Sequence, residues 1–280
     1  RVFSRMMHQA AQARSRLNAD LKGAWERDEF FLNYQPVLKL DTLEVEAAEA
    51  LLRWNHAERG LIHASQFVAA LERSGDIVGL TTWIISRAAE EHAKWSATGC
   101  SIPKLSVNLP AQFLLKPELS LQLRRELEAA NIELDCLVLE FSEAAYTSIH
   151  EIPKPIMEMR EAGTACAIDN FGGGGIALTK ISHLAIDIYK LDRSFLRSPL
   201  SSRRDRALLS GIAKIGRELN RQVVAKGIET RAQLQHLRKL GFHGGQGYVF
   251  SRPLNGPDIP VWSMDWGRQL TLDQDFRKTA

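Results

Sequence analysis

The chain has 280 residues, of which 45% are hydrophobic and 25% charged, with a formal net charge of +3. Those proportions suit a soluble globular protein whose core is large enough to fold without staples. The small charge permits an anionic ligand and does not suggest a surface built to coat nucleic acid.

Residues 1–28 read as a single connector helix, with Met6, Ala10, Ala13, Leu17, Leu21 and Ala24 at 3- and 4-residue spacing. From Glu29 the rhythm alternates. Phe30-Phe31-Leu32-Asn33-Tyr34 predicts a strand stopped by Gln35-Pro36, and residues 43–53 a second strand. Ser65 is expected to cap a helix holding Phe67, Val68 and Leu71 and ended by Gly75. A longer helix follows over 78–97, with Trp83 and Trp95 on its core face. Strands are then expected at 105–109, 137–141, 165–169, 186–191, 222–226 and 244–250. Helices are expected between them at 111–130, 150–162, 204–220 and 230–240. The tail 259–280 carries Trp262 and Trp266 and reads either as docked on the fold or as loose.

About eight strand–helix units in one chain point to an α/β fold, a (β/α)8 TIM-like barrel over 29–258, rather than to two domains. A doubly wound open sheet would place its site at one switch point. Here, polar residues close nearly every apolar run. Glu49 closes Val45-Glu46-Ala47-Ala48, Asn108 closes Leu105-Ser106-Val107, Glu140 closes Leu137-Val138-Leu139, and Asp169 closes Ala165-Cys166-Ala167-Ile168. Oxygen ligands gathered at the C-terminal ends of barrel strands suit a hard divalent cation. The run Gln222-Val223-Val224-Ala225 ends instead in Lys226, which cannot bind a metal while charged.

The three cysteines, Cys100, Cys136 and Cys166, are far apart and show no metal-site spacing, which fits buried thiols in a reducing, cytoplasmic compartment. None of the eight histidines has paired spacing. Apolar runs fall short of the ~18–20 residues that span a bilayer, so no membrane insertion by this segment is expected. The chain opens on Arg1 in mid-helix and reads as a piece of a longer protein. Gly172 to Gly175 lack the Gly-Lys-Ser/Thr that would make them a P-loop, and Arg203, Arg204 and Arg206 read as a solvated face.

Read together, Glu49-Ala50-Leu51 with Leu52-Arg53-Trp54, Tyr34-Gln35-Pro36, Asn108-Leu109, Glu140-Phe141-Ser142-Glu143, Asp169-Asn170-Phe171-Gly172, Lys190-Leu191-Asp192, Gly227-Ile228-Glu229-Thr230 and Gln246-Gly247-Tyr248 with Pro253 resemble the EAL domains, bacterial phosphodiesterases of cyclic di-GMP. The resemblance covers roughly residues 28–255. It implies a TIM-like barrel with one strand reversed and two divalent cations, Mg²⁺ or Mn²⁺, that open cyclic di-GMP to pGpG through a metal-held water. It also implies that Glu49, Asn108, Glu140 and Asp169 hold the first metal and that Lys190 stabilises the phosphate or the water. Gln35, Leu52, Arg53, Gln246 and Pro253 would contact the dinucleotide, and Glu143 would anchor the loop after Asp169. The leading helix resembles the connector that follows a GGDEF domain in tandem proteins.

Two departures fall on the second metal. Asn170 stands where the family has the second of paired aspartates, and Lys226 stands where it has an acid. The expected consequence is one metal site kept and one lost. The Lys226 ammonium would occupy the second-metal position and pair with Asp169 and the ligand phosphate. The loop after Asp169 has also exchanged hydroxyls for glycines. The reading is a cyclic di-GMP receptor with weak or no turnover, partnered by an upstream domain, by a second copy or by another protein, and not by DNA. An active enzyme that recruits Glu229 or Asp192 is the alternative, and a nucleotide-independent scaffold is the second.

Overall fold

The computed structural model describes residues 17, 19–21, 23–129, 131–173, 175–182, 184, 186–196 and 202–272. Most of the expected connector helix, Gly174 and the end of the tail lie outside them. Within them the helical expectation for 1–28 fails at its end. Residues 23–28 form turns, because Gly23 adopts a left-handed φ of +76°.

Ten strands form one sheet. They are β1 (Phe30–Lys39), β2 (Val45–His56), β3 (Gly60–His63), β4 (Lys104–Leu109), β5 (Leu137–Ser142), β6 (Ala165–Phe171), β7 (Ile188–Leu191), β8 (Gln222–Lys226), β9 (Gly244–Gln246) and β10 (Leu254–Asn255). From β2 through β4 to β9 each neighbour is parallel, while β1 runs antiparallel to both β2 and β9 and so closes the sheet into an eight-stranded barrel. β3 and β10 are short flanking strands on β2 and β1.

The pleat sorts side chains into two shells, since successive residues face opposite sides of a strand. Leu105, Leu139, Ile168, Tyr189 and Val223 point outward into the core shared with the helices. Val37, Ala47, Val138, Ala167, Ile188 and Val224 form a separate cluster inside the barrel. Trp95 is buried in the outer core and donates from its indole to the Gly256 carbonyl (2.8 Å).

Several expected boundaries move. Pro36 does not stop β1, which continues to Lys39. The β10 ladder ends at Tyr34 and the β9 ladder starts at Leu38, so the proline sits in a gap on that side of the strand. β2 begins only at Val45, because Leu43 takes a positive φ (+63°) in the turn from β1. Ser65 is not a helix cap. It lies in a 3-10 turn, and α1 (Val68–Ser74) starts after Phe67 with no side-chain cap, ending as expected at left-handed Gly75. The long helix is α2 (Ile77–Ala97).

The expected helix 111–130 is two, α3 (Gln112–Leu115) and α4 (Pro117–Ala129), because Lys116 is extended before Pro117. The expected helix 150–162 starts only at Lys154, after extended Pro153, and an additional short helix precedes it; these are α5 (Glu143–Thr147) and α6 (Lys154–Glu161). A short α7 (Leu178–Ile181) follows β6. α8 (Arg203–Glu218) and α9 (Arg231–Leu240) flank β8, and Arg203, Arg204 and Arg206 are exposed as expected. The tail docks as α10 (Ile259–Leu272), whose Trp266 indole donates to the Leu43 carbonyl (2.9 Å).

The expected final strand stops at Gln246 rather than at 250, because Gly247 lies flat against the backbone of Ile228. A Cβ on Gly247 would collide with that backbone, whereas one on Gly211, in mid-α8, would meet open space. Gly247→Ala is therefore expected to destabilise by about 1–3 kcal/mol, and Gly211→Ala to stabilise by up to about 1 kcal/mol. Urea denaturation of the two variants beside the parent checks both signs.

Candidate functional site

Each of the eight barrel strands carries one polar inward residue at the same end of the barrel. On seven strands it lies two residues beyond a small or apolar inward residue: Glu49 after Ala47, Asn108 after Ser106, Glu140 after Val138, Asp169 after Ala167, Lys190 after Ile188, Lys226 after Val224 and Gln246 after Gly244. On reversed β1 the order inverts, and Gln35 precedes Val37. Period-2 geometry and barrel closure thus gather into one layer residues up to 211 positions apart in the chain.

The layer holds two bonded groups, one around Glu49 and one around Asp169. Glu49 accepts at Oε1 from Asn108 Nδ2 (3.0 Å) and at Oε2 from Lys190 Nζ (3.0 Å) and Gln246 Nε2 (2.9 Å). Lys190 also donates to Glu140, which accepts from the Ser106 hydroxyl as well. Gln246 donates to Gln35 Oε1 (3.1 Å), and Gln35 donates to the Ser251 carbonyl (3.1 Å). Lys226 Nζ stands 2.5 Å from Asp169 Oδ1. Asp169 Oδ2 accepts from Asn170 Nδ2 (2.9 Å). Asn170 has a left-handed φ of +56° where the β6–β7 register slips, a conformation asparagine tolerates.

Charge neutralisation governs the ionisation of these groups. Burial pushes the Glu49 carboxyl up, yet Lys190 and Lys226, helped by the Asn108 and Gln246 amides, hold it well below the usual carboxylate range. Glu140 goes the other way, to about 7, through burial and then the Glu49 charge, which outweigh the attraction of Lys190. Burial alone would lower both lysines; Glu140 and Glu49 raise Lys190, and Glu49 and Asp169 raise Lys226, so both remain ammonium ions.

Above the layer lies a cavity of about 440 Å³, lined by Glu49, Leu52, Arg53, Asn108, Asp169, Asn170 and Lys226, with Ser65, Val68, Glu72 and Thr81 forming its far wall. A larger cleft of about 750 Å³ opens elsewhere, near the C-terminal ends of α8 and α9, but its Arg217 and Arg238 are engaged with backbone carbonyls. The convergent polar groups, rather than size, single out the barrel mouth.

Of the residues expected at the site, Gln35, Glu49, Asn108, Glu140, Asp169, Lys190, Lys226 and Gln246 meet in the layer, and Leu52 and Arg53 line the cavity. Arg53 is buried and donates to the Leu52 carbonyl (2.9 Å). Lys190 pairs with Glu49 and Glu140. Glu143 keeps a loop contact, accepting from the Ile176 amide (2.6 Å). Pro253 and Glu229 do not line the cavity. Glu229 is exposed just before α9, its amide bonded to Gln233 Oε1 (2.8 Å). Ser106 was missed, although its inward parity two residues before Asn108 was readable.

Among the described residues no group of three or more His, Cys, Asp or Glu side chains stands ready to hold a metal. The two ammonium groups stand among the carboxylates instead. Glu140 Oε2 is nevertheless buried and without a partner, a free hard donor beside Glu49, Asn108 and Asp169. Oxygen donors of this kind suit a small divalent cation, and the Lys226 ammonium beside Asp169 opposes one there.

An EAL domain model matches residues 18–253. The chain belongs to the EAL domain family. It is 36% identical to the oxygen sensor protein DosP of Escherichia coli over 93% of this chain and 33% of that protein. It is 34% identical to the cyclic di-GMP phosphodiesterase NbdA of Pseudomonas aeruginosa over 90% of this chain and 32% of NbdA. The chain thus spans about a third of the length of these relatives. Among solved structures, the PaMucR phosphodiesterase in complex with c-di-GMP superposes with a TM-score of 0.79 at 30% identity, covering 87% of this chain and 99% of that one. The EAL enzyme Bd1971 with cAMP and cyclic di-GMP bound gives 0.83 at 26% identity, covering 93% and 72%.

Lys190→Met would leave Glu49 and Glu140 buried without their shared counter-ion, and a loss on the order of 3–5 kcal/mol is expected in urea unfolding. The raised Glu140 carboxyl has its own pH signature. Between the ordinary value of 4.5 and about 7 the folded protein keeps a proton that the unfolded chain has released. Its contribution to stability therefore falls as pH rises through that window. Glu140→Gln should remove that part of the decline, as read from unfolding free energies across pH 4.5–7.

Proposed function

We propose that this barrel binds cyclic di-GMP over its polar layer and turns it over weakly or not at all, acting as a receptor module of a longer signalling protein. The observation that carries the reading is the Lys226–Asp169 ion pair at 2.5 Å. Relatives that bind the dinucleotide support the ligand, and the retained Leu52, Arg53, Asn108 and Gln246 support the place. Arg53 offers a planar fork to a phosphate. Lys226 offers a point cation in the same cavity.

Glu49, Asn108, Glu140 and Asp169 would hold one Mg²⁺ or Mn²⁺. A pair of such ions, where present, supplies hydroxide and clamps the phosphate oxygens. In this chain Asn170 removes one negative charge relative to the family pattern and Lys226 changes the charge by two, against a second cation. Lys226, which stands where the family has an acid and is paired with Asp169, is unable to serve as a base. Loss of a base by itself costs ~10²–10⁴-fold in rate. Readout would pass to the rest of the parent protein, in which an upstream GGDEF domain is the expected neighbour, or to a second copy.

Calorimetric titration of cyclic di-GMP with Mg²⁺ or Mn²⁺ present, paired with chromatography of the same mixture, tests this. Micromolar or tighter binding without pGpG is expected. The double variant Lys226→Glu with Asn170→Asp should gain at least about 10²-fold in hydrolysis. Rapid pGpG formation by the parent chain would overturn the receptor reading in favour of an active phosphodiesterase. Neither binding nor product would leave a scaffold.

A further inference from the structure

The far wall of the barrel-mouth cavity is built largely by α1 and α2. On α1, Val68 and Glu72 lie one turn apart and share a face, and both line the cavity. The core side of α1 anchors it. Leu71 is buried, and Phe67, just before the helix, is fully buried against Phe30 and Trp54, with ring centroids at 5.6 and 5.5 Å. Glu72 is therefore carried by a fixed element, although the residue itself is exposed.

The cavity is polarised. Arg53 and Lys226 are its cations, and both belong to barrel strands. Leu52, Leu109, Ile77 and Ile84 supply apolar surface. Three acids line it: Glu49, Asp169 and Glu72. Glu49 is bonded to Lys190, Asn108 and Gln246, and Asp169 to Lys226 and Asn170. Among the described residues Glu72 takes part in no hydrogen bond or ion pair. Its wall neighbours Ser65, Val68 and Thr81 carry no charge, and the Thr81 hydroxyl already donates to the Ile77 carbonyl (2.7 Å). A ligand in this cavity thus meets cations at the strand ends and, on the helical wall, two carboxylate oxygens with nothing bound to them.

We propose that Glu72 selects the base of the ligand, its two oxygens accepting from N1–H and from the exocyclic N2 amine of one guanine while a phosphate faces Arg53 and Lys226. The inference rests on the cyclic di-GMP reading above. Guanine carries these two donors side by side on its Watson–Crick edge, and a carboxylate offers two acceptors side by side. Adenine presents a bare ring nitrogen at that position, so acceptor would face acceptor. Hypoxanthine keeps N1–H and lacks the amine. The apolar side chains cover the faces of the ring. A carboxylate near a dianionic ligand is repulsive unless it is bonded to that ligand. Removing the charge of a bystander would therefore tighten binding, whereas removing a bonded acceptor weakens it.

Cyclic di-GMP, cyclic di-IMP and cyclic di-AMP are titrated by calorimetry, with Mg²⁺ present, into the whole chain and into Glu72→Gln. The variant keeps the size of the side chain and one acceptor oxygen, and because Glu72 is exposed its thermal unfolding should match that of the parent. The parent is expected to bind cyclic di-GMP at least about tenfold more tightly than cyclic di-IMP, and cyclic di-AMP more weakly still. Glu72→Gln should weaken cyclic di-GMP at least about tenfold and narrow its advantage over cyclic di-IMP at least about threefold, because the lost contact is the one to the amine. Unchanged or tighter binding of cyclic di-GMP by Glu72→Gln, or an unchanged advantage over cyclic di-IMP, would overturn the inference and leave the receptor reading standing. Failure of the parent to bind cyclic di-GMP would overturn both.

Discussion

Gathering Glu49, Glu140 and Asp169 into one layer of a barrel interior would be prohibitive without counter-charge, because each carboxylate has exchanged water for protein. Lys190 and Lys226 supply that charge. Lys190 bridges Glu49 and Glu140, and Lys226 holds Asp169. The amides of Asn108 and Gln246 fill the remaining bonds of Glu49. The network fixes side-chain geometry at the mouth, and through Gln35 and Ser251 it ties the segment after β9 to the barrel.

The same arrangement sets the chemistry available. A scaffold that hydrolyses a phosphodiester with two cations must keep anionic ligands exposed and unneutralised. An ammonium group in that position attracts phosphate and opposes a second cation, while the fold and most of the layer stay in place. Function here belongs to the layer, and the barrel only presents it.

Lys190 also separates two unlike spaces. Above it lies the polar mouth; below it lie small aliphatic residues and an open cavity. The change occurs within two residues on each strand, because inward positions recur with period 2 and no side chain of Ala47 or Ala167 reaches far enough to fill the centre.

Much of the site was legible in the chain. Polar residues closing short apolar runs, and eight motifs in order, identified the barrel, the family and nearly every member of the layer, because alternation along a strand is a local property. The pairing of Lys226 with Asp169 was legible once the resemblance placed both at one metal position. Other features were not. Pro36 lies inside β1 because the neighbouring ladders leave a gap there, and Ser65 falls outside the helix it was expected to cap because the preceding 3-10 turn delays α1. Ser106 became a partner of Glu140, and the cavity beneath Lys190 appeared, only when the strands closed on one another. The sequence by itself determined which groups face inward and what charge each carries. Only the tertiary structure decided which of them touch and how much space they leave, because register and closure depend on strands far apart in the chain.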